Sequence, residues 1–165
     1  MSDIPTAEDL AIVAQQLGRR PRSVVAIAWR CACGHPGVTK TAPRLDDGTP
    51  FPTTYYLTNP RAIVGCSALE ADGVMVEYNA RLADDAEFAA QYRAAHDAYL
   101  ADRAELGDVP EIAGFSAGGM PDRIKCLHAL VAHSLAVGPG VNPVGDEIVE
   151  RLGDLCGHPC QLETT

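Results

Sequence analysis

The stretch RIKCLHALVAHSLA, residues 123–136, has no strongly polar face. At 100° per residue, Ile124, Leu127, Val131 and Leu135 fall on one side of a helix, with His128 at their edge. Cys126 and His133 fall on the opposite side, beside Ala129 and Ala136. A helix that is apolar nearly all round is a buried one. The spacing therefore predicts a central helix covered by a second packed layer.

The flanking sequence supplies that cover. TAEDLAIVAQQLG, residues 6–18, reads as a helix capped by Thr6 and ended by Gly18. RSVVAIAW (22–29), VTKTAP (38–43) and TTYYLT (53–58) are β-branched and aromatic runs bounded by turn residues, hence three short strands. Residues 62–73 and 82–106 read as helices, and the second carries the stripe Phe88, Tyr92, His96, Tyr99, Arg103 at helical spacing. Such a stripe is expected to pack against the sheet. DEIVERLGDL, from 146, is a last helix. The expected fold is α+β: a small, mainly antiparallel sheet of about three strands with four to five helices. One domain over residues 1–152 is expected, with 153–165 a loosely held tail.

Composition removes several functions. The chain has 165 residues and a formal net charge of −9. That balance argues against nucleic acid, which needs clustered Lys and Arg. The one basic run is Arg19, Arg20 and Arg22. No apolar run approaches the length of a membrane span, and no basic leader precedes an apolar core. A cytoplasmic location is expected, so the six cysteines should be thiols or metal ligands.

Cys31 and Cys33, in RCACGHP, place two thiols on one face of extended chain, as half of a metal site or a redox pair. Cys66 lies on an apolar helical stretch and reads as core. The end of the chain, CGHPC, offers Cys156, His158 and Cys160 as a chelating tail, with no fourth ligand near it in sequence. Cys126 and His128 lie about 200° apart on a regular helix and can act together only if the helix starts near Cys126. Gly118, Gly119 and Pro121 permit that late start. Cys126 would then gain the positive helix end, which favours thiolate. Cys126 and His133 are seven residues apart, about 10 Å along the axis, too far for an easy shared ion.

RCACGHPGV, GTPFPTTYYLTNP, SALEADG, GGMPDRIKCLHALVAHSLA and GPGVNPVGDE, in this order, resemble a bacterial family of unknown function numbered 501, common in actinobacteria. The resemblance runs from about residue 8 to 150. It implies cysteines at Cys31 and Cys126, histidine at His128, and a further cysteine where this chain has Asn59. Cys33 is the thiolate that can replace that missing one. The tail beyond about residue 152 lies outside the resemblance.

Three functions fit these residues. The first is a metal-binding domain in which Cys31, Cys33, Cys126 and His128 converge on one zinc, with His133 as a further ligand or a group behind the ligands. The second is an enzyme with Cys126 as nucleophile and His128 or His133 as its base. There the Gly/Pro-rich loop 107–122 would be a lid, and Arg123 and Lys125 would bind an anionic substrate. The third is an interaction module with a protein partner and purely structural cysteines.

Overall fold

The structure is a computed structural model and describes residues 3–156. It is an α+β domain. Strands β1 (Val24–Arg30), β2 (Pro36–Thr41) and β3 (Tyr55–Leu57) form one antiparallel sheet in the order β1-β2-β3. Helices α1 (Ala7–Leu17), α2 (Pro60–Ala71), α3 (Val74–Asp84), α4 (Ala86–Ala104), α5 (Leu127–Val137) and α6 (Pro143–Leu152) complete the described part. No helix among the described residues is long and apolar enough to cross a membrane.

The helices number six rather than four to five because the run after Gly73 is itself helical and Asp85 breaks it from the next. Gly73 (φ 80°) separates α2 from α3. Asp85 is extended, and its carboxylate accepts from the Phe88 amide at 3.0 Å, which starts α4 afresh. The predicted stripe on α4 is buried throughout, from Phe88 to Arg103. α1 begins and ends as its sequence suggests. Thr6 and Asp9 exchange capping bonds of 3.1 and 2.9 Å, and Gly18 turns left-handed at φ 69°.

α5 starts at Leu127, later than the periodicity alone suggests. The backbone before it is already committed elsewhere. The amides of Lys125 and Cys126 both donate to the Gly118 carbonyl, at 2.7 and 3.2 Å. Asn79 grips Ile124 at its amide and its carbonyl, each at 2.9 Å. Once begun, α5 is the buried centre of the domain. Leu127, Leu130, Val131, Ala132 and His133 are all fully enclosed. α5 packs on the sheet, α2 and α6. Its approach to α6 is so close that a Cβ on Gly145 would lie 2.2 Å from the Leu130 carbonyl oxygen.

Gly37, on β2, does similar work at the other end of the sheet. A Cβ there would sit 2.4 Å from the Trp29 ring. The Gly37 carbonyl accepts from the amides of Thr58 and Asn59, at 2.8 and 3.0 Å, and so joins the start of α2 to the β1–β2 hairpin. Loop 107–122 is pinned rather than free. The guanidinium of buried Arg103 donates to the carbonyls of Pro52, Ile112 and Phe115. Beyond α6, Leu155 and Cys156 are buried.

Candidate metal centre

The β1–β2 connection is a tight turn. The Gly34 amide donates to the Cys31 carbonyl at 2.9 Å, and the Cys31 amide to the His35 carbonyl at 3.0 Å. Gly34 takes φ 83°, which a glycine adopts without strain. Arg30 braces the turn from outside. Its guanidinium donates to the Gly34 carbonyl at 3.0 Å and makes a two-bond contact with Asp9, at 2.7 and 2.9 Å. Cys31 faces inward and is buried, while Cys33 lies nearer the surface.

Cys156 completes the group. Its sulfur lies 3.7 Å from that of Cys31 and 2.8 Å from that of Cys33. All three sulfurs are within 4.8 Å of one another. A covalent disulfide would measure about 2.05 Å, well short of these separations. Asn59 holds the tail in place. Its Nδ2 donates to the Leu155 carbonyl at 3.0 Å, while its Oδ1 accepts from the Ala62 amide at 2.9 Å and caps α2. Where the resemblance implies a cysteine, this chain has a side chain occupied with a helix cap and the chain's own tail.

Cys126 and His128 are elsewhere, so the four residues expected to share one zinc do not converge. Cys126 is the N-cap of α5, half-buried, with its sulfur 3.9 Å from His128 Nδ1. Glu70 joins them. Its Oε1 is 3.1 Å from His128 Nδ1 and accepts from the Leu127 amide at 2.8 Å. The donor atoms of Glu70, Cys126 and His128 form a second group within 4.8 Å. The reason for the separation is α2. Its N-cap, Asn59, touches the segment leading to Cys156, and its last turn carries Glu70 to Cys126. Twelve helical residues span about 18 Å.

Burial pushes the Cys126 thiol up, but the His128 hydrogen bond and the Ala129 amide outweigh it, and the thiol lies below its ordinary range. His128 is raised to about 9, by its bond to Cys126 first and by the Glu70 carboxylate against desolvation. The pair thus favours thiolate and imidazolium. Its Nε2 faces Ser67 Oγ at 3.2 Å.

His133 joins neither group. It is fully buried, stacked on Tyr55 and edge-on to Tyr99, with ring centroids 5.8 and 5.0 Å away. Its Nδ1 takes a hydrogen bond from Asn142 Nδ2 at 3.2 Å; the single oxygen of that amide, Oδ1, accepts from the Gly145 amide, which fixes Nδ2 as the donor. Arg123 and Lys125 are exposed, and neither lines the groove that holds Cys126. Cys66 is core, its thiol pushed up to about 12 by burial. His158 and Cys160 lie outside the described residues.

Two participants were not legible as such. Cys156 was read as part of a chelating tail with His158 and Cys160, and its meeting with Cys31 and Cys33 was not legible. Glu70 was unmarked, yet a signal existed: an acid in the last turn of a helix opposes the helix dipole and calls for another reason to be there. That reason is the N-terminus of α5.

Residues 27–150 match the family described as protein of unknown function, DUF501. The chain belongs to that family. No curated protein and no solved structure matches it. Within this DUF501 chain, Cys31, Cys33, Cys126, His128 and Glu70 lie inside the matched span, and Cys156 beyond it.

Proposed function

We propose that this domain binds a metal ion, zinc, through Cys31, Cys33 and Cys156. The observation that carries the proposal is the bunching of three sulfurs from two distant parts of the chain. Two thiolates on a tetrahedral zinc at 2.3 Å are about 3.8 Å apart; Cys31 and Cys156 stand at 3.7 Å, while Cys33 and Cys156, at 2.8 Å, part by about 1 Å on binding. Three thiols crowded in this way, two of them buried, gain little as plain core packing. If ionised, thiolates so close would repel one another, and a bound cation would relieve that repulsion. The Cys-x-Cys-Gly turn points two of them at one spot, with Arg30 and Asp9 fixing the turn from behind.

The fourth donor is sought in the sequence after Cys156, where His158 and Cys160 stand two and four residues on. A site of this kind ties the end of the chain to the hairpin and its free energy is folding free energy. Its role is structural when four protein ligands close it.

The test is metal content of the full chain purified without added metal, with melting followed before and after a chelator. One zinc per chain and a lower melting temperature after chelation are expected. Cys156→Ser should remove the zinc and Cys126→Ser should keep it. A wild-type chain that holds no zinc after equilibration with the metal, and whose melting ignores chelator, sinks the proposal.

A further inference from the structure

We infer that Cys126, His128 and Glu70 form a thiol-dependent acyl-transfer site, whose substrate is a thioester with an apolar acyl group and a phosphate-bearing leaving group. The inference is independent of the metal centre.

The first observation is the cluster itself. Cysteine is a poor helix cap, and the N-terminus of α5 is capped instead by Glu70, which arrives from α2. The thiol, which also meets the Ala129 amide, is therefore not the helix's only cap. It faces His128 Nδ1, and Glu70 holds that imidazole at 3.1 Å while Ser67 meets its other nitrogen. Nucleophile, proton carrier and orienting carboxylate are thus within reach of one another.

The second observation is the space beside the thiol. A groove of about 500 Å³ runs along β3, an edge strand of the sheet. Cys126, His128 and Ala129 form one wall, and Leu17, Leu57 and Ile63 contribute apolar surface. An apolar acyl chain fits such walls.

The third is charge. A second cleft, of about 350 Å³, shares Leu17 and Tyr56 with the first. Arg19, Arg20 and Arg22 line it, with Thr39, Thr41 and Tyr56. These are three of only 13 cationic side chains in a chain of net charge −9. Arg22 is paired with Asp47, and Arg19 donates to the Tyr56 hydroxyl at the junction of the two clefts. Guanidinium groups beside hydroxyls suit a phosphate.

The chemistry follows from the geometry. The Cys126 thiolate adds to the thioester carbonyl carbon, the bond from that carbon to the leaving sulfur breaks, and His128 gives its Nδ1 proton to the departing thiolate. Neutral His128 then takes a proton from water. The hydroxide adds to the acyl carbon, the bond to Cys126 breaks, and thiolate and imidazolium are restored as the acid loses its proton to solvent. Glu70 does not touch the substrate; it is a positioning residue for His128.

The test uses the full, metal-loaded chain. Iodoacetamide alkylation at pH 7, mapped by peptide, should find Cys126 at least about tenfold faster than free cysteine. His128→Gln should remove that excess, and Glu70→Gln should shift the pH at which the rate half-rises. Acetyl-coenzyme A, the smallest such thioester, should leave one acetyl group on the Cys126 peptide when the reaction is quenched in acid within the first turnover, absent in Cys126→Ser. Its phosphate-free analogue, acetyl-N-acetylcysteamine, should react at least about tenfold more slowly, and Arg20→Ala should narrow that ratio. Alkylation of wild-type Cys126 at the rate of an ordinary thiol, or loss of bound zinc in Cys126→Ser, overturns the site. Equal rates for the two thioesters overturn the substrate class.

Discussion

The Asn59 side-chain amide donates to the Leu155 carbonyl at 3.0 Å, across 96 positions. The residue beside Leu155 is Cys156, so one buried amide both starts α2 and anchors the segment that carries a thiol to the hairpin. Asn59→Ala should cost about 1–3 kcal/mol, because the Ala62 amide and the Leu155 carbonyl lose their partner. It should also weaken zinc binding, read by competition with a chromophoric chelator. A variant that melts earlier but holds zinc as tightly as wild type would separate the two roles and refute the second.

Gly145 should tolerate no side chain. An added Cβ would meet the Leu130 carbonyl oxygen and Ser134 Oγ, each at 2.2 Å, both on α5. Neither the helix backbone nor a buried serine can retreat without separating α5 from α6. Gly145→Ala, favourable by helix propensity, should instead destabilise by more than about 2 kcal/mol. Denaturant midpoints equal to wild type would show that the helices part easily.

His133 makes the fold acid-sensitive. Burial lowers it to about 4 in the folded chain, against 6.5 ordinarily. Between those values the unfolded chain binds more protons, so stability falls as pH drops from 6.5 towards 4, by up to about 3 kcal/mol. His128 works the other way. Raised to about 9, it contributes stability that is fully present below 6.5 and lost as pH rises through 9. Ring-proton shifts of His133 that titrate near 6.5 in the native state would contradict the burial assigned to it.

Asp9 is held well below the usual carboxylate range, chiefly by its bonds to the Arg30 guanidinium. Its contribution is present above the ordinary carboxylate value and lost as pH falls below it. Asp9→Asn should cost about 1.5–3 kcal/mol and loosen the Cys31–Gly34 turn, since Arg30 also holds the Gly34 carbonyl. The check is zinc affinity alongside urea unfolding; a loss confined to one of the two would break the link drawn here between the ion pair and the turn.

The three strands and every helix but α3 were legible in the sequence, because each rests on local periodicity and local caps; residues 74–81 carried no such reading. Thr6, Gly18, the α4 stripe and the all-round apolar α5 act within a few residues of themselves. The α3–α4 break was missed because Asp85 is one acid among several, and only its bond to Phe88 marks it as a cap. The partners of the cysteines were decided by tertiary structure alone. Cys126 and His128 point to one place because Gly118 and Asn79 delay the start of α5. Glu70 reaches them, and Asn59 brings Cys156 to Cys31 and Cys33, because α2 is a rigid rod with one end at each site. No spacing along the chain encodes the length and direction of that rod, and so two groups of donors were read as one.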